Sequence, residues 1–182
     1  SIEHKPPPAR DAELIERIAP AIGRAAKLFG ERLRDPRRAR DAADRLIPDV
    51  SGDGVARADV IIEAIFENVE AKRSLFAAVE KRAKPGAILA TNTSSIPLEE
   101  IASALADPSR LIGLHFFNPV ARMMLVEIVV GATTRPSLAA PAAAFARQID
   151  KLPLPVKSAP GFLVNRVLAP YLMAAMRAVD DG

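Results

Sequence analysis

Hydrophobic residues are spaced in two different ways along the chain. Up to residue 47 they recur every three or four positions, which predicts a helix from Asp11, kinked or restarted at Pro20, and a second from Pro36 to Ile47. From residue 58 onward, short and nearly continuous apolar runs alternate with further segments of helical period. Such runs are typical of strands that are buried on both faces of a parallel sheet.

Five apolar runs are predicted strands, the last of them edge-like: ADVIIEAIF (58–66), AILAT (87–91), RLIGLHF (110–116), MLVEIVV (124–130) and LPLPVK (152–157). Their alternation with helices predicts an α/β fold, with a Rossmann-like, doubly wound, mostly parallel sheet and flanking helices. We expect this sheet to be incomplete, because no strand precedes the first helix. We assign residues 1–10 to an extended, proline-rich head and residues 11–182 to the truncated domain.

Three polar loops directly follow predicted strands. They are FEN (66–68), NTSS (92–95) and HFFNP (115–119). Ligands of open α/β sheets bind outside the carboxyl ends of the strands. We therefore expect the three loops to converge on one edge of the sheet and to form the functional site there.

Composition narrows the function classes. The absence of cysteine excludes disulfides and thiolate chemistry, and no apolar run is long enough to span a bilayer. The formal charge is only +3, and the arginine-rich segment 32–45 is interleaved with aspartates. With no recognition motif or aromatic platform, nucleic-acid binding is not favoured. The expected protein is soluble and cytoplasmic, with no predicted metal site.

Two residues in the predicted strands have side chains suited to acid–base chemistry. Taken alone, His115 favours a packed core histidine over a catalytic base, because imidazole packs and hydrogen-bonds well without taking part in chemistry. Glu127 lies inside the apolar run MLVEIVV, where an isolated carboxylate would be costly. The pattern therefore predicts that Glu127 has a buried partner.

Several motifs together carry a family resemblance: ADVIIEAIFENVEAK (58–72), TNTSSIPL (91–98), GLHFFNPV (113–120), LVEIV (125–129) and APGFLVNRVLAPYL (159–172). In this order they resemble the NAD-binding domain of L-3-hydroxyacyl-CoA dehydrogenases, and the chain looks especially like the version within multifunctional fatty-acid oxidation proteins, which also carry enoyl-CoA hydratase activity. The resemblance implies oxidation of a (3S)-3-hydroxyacyl-CoA to the 3-oxoacyl-CoA, with NAD as hydride acceptor.

The resemblance also implies roles for individual residues. His115 matches the family's catalytic base, and Glu127 matches the carboxylate that orients its ring. Ser94 resembles a hydroxyl that contacts both substrate and nicotinamide, although it could instead cap a helix. Asn165 resembles the amide that holds the substrate oxygen, although it could be an ordinary surface amide.

The remaining implied residues belong to the cofactor side of the site. Asn118 resembles a contact to the nicotinamide, although its position before a proline also suits a turn. Ile65, Phe66 and Glu67, with Lys72 on the following helix, resemble the segment that lines the cofactor. Lys72 could equally be a solvated helix lysine.

The sequence departs from the family at the phosphate-binding turn. None of the nine glycines forms G-x-G-x-x-G, and GDGVAR (52–57) precedes a strand and lacks the third glycine. The acidic residue for the adenine ribose and the helical domain that completes the cleft are also missing. We therefore expect a fragment with little turnover of its own, which self-associates through an exposed sheet edge or apolar face.

Two other functions are alternatives to an NAD-dependent 3-hydroxyacyl-CoA dehydrogenase. A non-catalytic association module derived from this fold would need none of the polar residues at the site, so their joint presence favours a dehydrogenase. A hydroxyacid dehydrogenase that uses NADP and a lysine base is disfavoured, because HFFNP supplies a histidine at the expected position.

Overall fold

The structure, a computed structural model, describes residues 9–181. The chain divides into two compact units, residues 1–54 and 55–182. Residues 1–8 of the predicted extended head lie outside the described residues, whereas residues 9 and 10 already belong to a helix. The division of the chain into a head and a domain stays a prediction.

The first unit contains two helices, α1 (Ala9–Arg32) and α2 (Pro36–Asp44). Pro20 lies inside α1, which continues through it, so the predicted restart does not occur. Asp35 caps α2 by accepting a hydrogen bond from the Arg37 amide at 2.9 Å, and Pro36 occupies the first turn as predicted. The helix ends at Asp44 and not at Ile47, because Ile47 precedes a proline, which disfavours helical backbone.

The second unit is built on a sheet of five strands: β1 (Val60–Glu63), β2 (Ile88–Thr91), β3 (Leu111–Phe116), β4 (Leu125–Val130) and β5 (Leu152–Lys157). The strands lie in chain order, and all neighbours are parallel except β3 and β4. That pair is antiparallel because residues 117–124 connect it without the long crossover that parallel strands need. The predicted, mostly parallel sheet is confirmed.

Four α-helices accompany the sheet: α3 (Val69–Glu80), α4 (Leu98–Ala102), α5 (Ala139–Gln148) and α6 (Val164–Asp180). Leu89 packs with Phe76 of α3 and Ile101 of α4, whereas Ala90 packs with Ala142 of α5. Successive strand residues point to opposite faces. The helices therefore cover both faces, as the doubly wound pattern predicts.

The first strand differs from its prediction. The run ADVIIEAIF was expected to be buried on both faces, but only residues 60–63 form β1 and Ile62 is 37% exposed. Among the described residues, β1 pairs with β2 alone, so it lies at the sheet edge and packs incompletely. The other edge strand, β5, was predicted as such and is confirmed.

The last helix, α6, leaves many of its apolar side chains exposed. The side chains of Val167, Tyr171, Leu172 and Met176 are more than half exposed along α6. Within the described part of the chain, no helix combines the length and apolarity needed to cross a membrane.

Candidate active site

The antiparallel pairing of β3 with β4 places His115 directly opposite Glu127. The imidazole Nδ1 lies 2.7 Å from the carboxylate Oε2, and both side chains are buried. Because a carboxylate only accepts hydrogen bonds, Nδ1 carries the proton and Nε2 is the basic nitrogen of the neutral ring. The predicted partner of the buried Glu127 carboxylate is thus the His115 ring.

The second oxygen of Glu127 connects the same pair to helix α6. Glu127 Oε1 accepts hydrogen bonds from the backbone amides of Leu163 and Val164, each at 2.9 Å. These amides belong to the start of α6, where unpaired N–H groups and the helix dipole favour a negative charge. A single carboxylate therefore holds both the His115 ring and the first turn of the helix that carries Asn165.

A strained turn brings those amides to Glu127. Gly161 and Phe162 both have left-handed backbone, with φ of 73° and 48°. This conformation is uncommon for a bulky residue and costs about 1–3 kcal/mol, so packing must hold it in place. The Phe162 side chain is buried, and its ring centroid lies 5.4 Å from that of His115. Phe117 contacts the imidazole as well, with ring centroids 4.5 Å apart.

The three polar loops converge at the carboxyl ends of β1, β2 and β3. Glu67 Oε1 accepts a hydrogen bond from the Thr93 hydroxyl at 2.6 Å and one from the Ser94 amide at 3.0 Å. The Asn92 side-chain oxygen accepts from the Phe116 amide at 2.8 Å. The NTSS loop therefore contacts both the loop after β1 and the strand that carries His115.

These contacts control the charge of Glu67. Burial raises the pKa of its carboxyl, but hydrogen bonds from the Thr93 hydroxyl and the Ser94 amide, together with the Lys72 ammonium, outweigh burial. The pKa falls from its ordinary value of 4.5 to about 2. Glu67 is therefore an anion at neutral pH.

Lys72 is not the solvated helix lysine that was one of its alternatives. Its side chain is 1% exposed, and Nζ lies 2.7 Å from Glu63 Oε1 and 3.3 Å from Glu67 Oε2. Nζ also donates to the Ile65 carbonyl at 3.2 Å. Direct contact between Lys72 and a cofactor stays a prediction, whereas its contacts to the loop after β1 are observed.

The other predicted residues lie around the same edge. The Ser94 hydroxyl is exposed, does not cap α4 and lies 3.3 Å from Glu67 Oε1. Ile65 and Phe66 are 38% and 72% exposed in the loop after β1. Asn118 is exposed in the loop after β3, and Asn165 is half-buried in the first turn of α6.

Sequence reasoning missed four residues that shape this site: Glu63, Asn92, Thr93 and Phe162. One of them gave a usable signal, because Glu63 is an acid inside an apolar strand run, as Glu127 is. Asn92 and Thr93 belong to a loop that was identified, but their partners depend on how three strands align. Nothing in the sequence indicates left-handed backbone at Phe162.

Comparison with known proteins now identifies the family. The family model described as "3-hydroxyacyl-CoA dehydrogenase, NAD binding domain" matches residues 9–159. The chain belongs to this family. It is 45% identical, over 129 residues, to the fatty acid oxidation complex subunit alpha of Vibrio cholerae serotype O1. That match covers 71% of this chain and 18% of the relative, so the chain spans less than a fifth of the relative's length.

Solved structures of the family share the fold. 3-Hydroxybutyryl-CoA dehydrogenase from Escherichia coli is 36% identical with a TM-score of 0.86, covering 91% of this chain and 36% of the other. (S)-3-Hydroxybutyryl-CoA dehydrogenase PaaH1 from Ralstonia eutropha is 33% identical with a TM-score of 0.79, covering 92% and 58% respectively. The Rossmann-like assignment made from the sequence is confirmed.

NAD is the cofactor of this family, and the described residues suit one end of it. Ile65 and Phe66 present apolar surface at the carboxyl edge, which suits a flat ring, and the Ser94 hydroxyl offers a polar contact beside them. The printed sequence contains no G-x-G-x-x-G turn, whose backbone amides would hold a pyrophosphate. The fit is therefore to the nicotinamide end of the dinucleotide.

Proposed function

We propose that this domain oxidises (3S)-3-hydroxyacyl-CoA to 3-oxoacyl-CoA with NAD, within a longer polypeptide of fatty-acid β-oxidation. The observation that carries the proposal is the buried His115–Glu127 pair at 2.7 Å, in a chain that belongs to the 3-hydroxyacyl-CoA dehydrogenase family. The length of the Vibrio cholerae relative, of which this chain matches 18%, supports a larger parent protein. Hydratase activity in that parent would follow from its multifunctional type.

His115 is the general base of the proposed reaction. Nδ1 is held by Glu127, which leaves Nε2 to accept the proton of the substrate's 3-hydroxyl. Bound NAD would supply the acceptor for the hydride that leaves carbon 3. His115 then holds the proton as an imidazolium and returns it in the reverse reaction.

Glu127 supports the base in two ways. Its negative charge stabilises the imidazolium as charge develops, and its hydrogen bond keeps the ring in the productive tautomer. The amides of Leu163 and Val164 fix the carboxylate, so little rearrangement is needed when the ring gains a proton.

The remaining polar residues orient the reactants. Ser94 and Asn165 would donate hydrogen bonds to the oxygen of the substrate, and Ser94 would also contact the nicotinamide. Asn118, Ile65 and Phe66 line the cofactor side, and the anionic Glu67 fixes the NTSS loop that presents Ser94. Lys72 contributes through Glu67, which it contacts at 3.3 Å.

The test combines turnover with cofactor binding. In the complete polypeptide, His115→Ala is expected to lower kcat for 3-hydroxyacyl-CoA oxidation by about 10²–10⁴-fold, while the Kd for NADH stays within a factor of about three. An unchanged kcat would refute the role of His115 as base. Absence of any oxidation by the unmodified polypeptide would refute the proposed function.

Cofactor binding by the 182-residue chain on its own needs a separate measurement. We expect calorimetric titration of the 182-residue chain with NADH to show weak binding, because its sequence lacks the glycine-rich turn. Micromolar affinity would show that other groups replace that turn.

We further propose that the 182-residue chain self-associates. The alternative function, a non-catalytic association module, would also require self-association or binding to a partner. The apolar side chains exposed along α6 and the edge of β1 support this proposal. Light scattering is expected to show a mass that rises with concentration, and Leu172→Glu with Met176→Glu should reduce it. A constant monomer mass would contradict self-association.

A further inference from the structure

Two buried charges beside the site take no direct part in the proposed reaction. The Glu63 and Lys72 side chains are each 1% exposed and pair at 2.7 Å. A buried ion pair is usually no more stabilising than apolar side chains of similar volume, because both charges must leave water. Stability alone therefore gives no reason for this pair.

The contacts of Glu63 show what the pair holds. Glu63 Oε1 also accepts from the Ile65 amide at 2.7 Å, and Oε2 accepts from the Thr91 hydroxyl at 2.7 Å. Glu63 is the last residue of β1, and Thr91 is the last residue of β2. One carboxylate thus joins the ends of two strands to the first residues of the loop after β1.

Lys72 extends these contacts along the same loop. Its ammonium bridges Glu63 Oε1 and Glu67 Oε2, and it donates to the Ile65 carbonyl. Without the ammonium, no cation would lie between the buried Glu63 carboxylate and the partly exposed Glu67 carboxylate, and the two negative charges would repel each other. The geometry of the loop after β1 therefore depends on the charge of Lys72.

Glu67 transmits this geometry to the NTSS loop. While Oε2 faces Lys72, Oε1 accepts from the Thr93 hydroxyl and from the amides of Ser94 and Ser95 at 3.0 and 3.3 Å. The hydroxyls of Ser94 and Ser95 also lie 3.3 and 3.2 Å from Oε1, so a displaced Glu67 would release all these donors together.

We propose that Glu63 and Lys72 are positioning residues, whose buried pair fixes Glu67 and through it the placement of Ser94. In this role Lys72 acts on Ser94 through Glu67, which its ammonium contacts at 3.3 Å. The inference rests on the proposed function for its kinetic consequence, but the structural consequence for Ser94 and Ser95 can be measured without turnover.

The first measurement uses the backbone amides of Ser94 and Ser95, followed by NMR through a pH titration of the 182-residue chain. With Lys72 present, these amides should report a midpoint near 2, the pKa of Glu67. In Lys72→Met the midpoint should move upward and both amide signals should shift. Lys81→Met is the matched control, because Lys81 is an exposed lysine just beyond the same helix, and it should change neither.

A neutral double variant separates positioning from folding. Glu63→Gln/Lys72→Met removes both buried charges, so it should fold even where Lys72→Met alone, with an uncompensated carboxylate, does not. We expect a chain that is folded by circular dichroism, with the Ser94 and Ser95 amides still displaced. Unshifted amides and an unchanged Glu67 midpoint in the double variant would overturn the proposal.

The kinetic measurement then uses the complete polypeptide. The double variant should raise the KM for NAD and for the acyl-CoA substrate by about tenfold or more, with a smaller effect on kcat, because the reactants are misplaced while His115 is intact. If the amides shift but both KM values stay unchanged, the inference that Glu67 controls the placement of Ser94 for binding is wrong. If the unmodified polypeptide shows no turnover, the proposed function fails, and the amide titration still decides whether the pair positions Glu67.

Discussion

Glu63 and Glu127 occupy similar places in the sequence and do different work in the structure. Each is a buried carboxylate in an apolar strand, and each has a basic partner at 2.7 Å. Glu63 faces a lysine ammonium, which can only donate hydrogen bonds and forms an ion pair with the carboxylate. Glu127 faces an imidazole, whose second ring nitrogen can accept a proton from another group. In the proposed roles, the partner determines whether a buried acid holds a loop or supports proton transfer.

The remaining contacts of the two acids sharpen the difference. Glu63 accepts hydrogen bonds from a residue at the end of the neighbouring strand and from the adjoining loop, all at the carboxyl ends of the strands. Glu127 instead joins a strand to the first turn of α6, far along the chain. Loss of Glu63 should therefore disturb folding and the NTSS loop, whereas loss of Glu127 should mainly disturb chemistry.

The largest expected effect is on turnover in Glu127→Gln. The glutamine oxygen can still accept from the Leu163 and Val164 amides, but its NH₂ group would face Nδ1 of His115. Nδ1 must then act as acceptor, so the proton moves to Nε2 and the ring can no longer take one from the substrate there. We expect kcat of the complete polypeptide to fall by about 10²–10⁴-fold.

The tautomer itself supplies the control for this prediction. Nitrogen-15 NMR of the His115 ring should show the proton on Nδ1 in the unmodified chain and on Nε2 in Glu127→Gln. A full kcat with the switched tautomer would mean that His115 is not the base.

The next effect is on stability, in Glu63→Gln. The substitution leaves the Lys72 ammonium buried, with only the partly exposed Glu67 as counter-charge, and breaking a buried pair from one side costs about 3–5 kcal/mol. Urea unfolding should show this loss in the free energy of unfolding. Glu127→Gln is the comparison variant, and its loss should be about 1–2 kcal/mol because the two helix amides keep an acceptor. Equal losses in the two variants would contradict the distinction between the acids.

The sequence indicated more of the sheet than of the site. Apolar runs located all five strands, because a buried strand needs little else to be recognised. Edge exposure at Ile62 was not visible, since a strand's neighbours are a property of the whole sheet. The alignment of His115 with Glu127 depends on the loop 117–124, whose geometry no simple periodicity describes.

The burial of Lys72 could have been predicted. It lies at helical spacing from Val69 and Phe76, three residues after one and four before the other, and so on the face that packs against the sheet. A lysine there, near an acid in an apolar strand, indicates a buried pair. The sequence does not indicate that Glu67 also contacts this buried pair, because the position of Glu67 depends on hydrogen bonds from the NTSS loop.

The smallest expected effect is the dependence of stability on pH through Glu67. Its pKa is lowered in the folded chain to about 2 from 4.5, so folding favours the charged form. Stability from this group is therefore complete above about pH 5.5 and is lost as pH falls, because below pH 4.5 the unfolded chain binds a proton that the folded chain still excludes. The loss is complete only when pH falls through the folded value near 2.

Glu67→Gln isolates this contribution, because glutamine does not titrate while Glu99 and Asp107, whose pKa values are also lowered, remain in both chains. The difference in unfolding free energy between the unmodified chain and Glu67→Gln should be largest at pH 7 and should shrink between pH 5 and pH 3. A difference that stays constant over this range would mean that the hydrogen bonds to Glu67 do not depend on its charge. Packing contacts, and not the negative charge of Glu67, would then hold the loop after β1 against the NTSS loop.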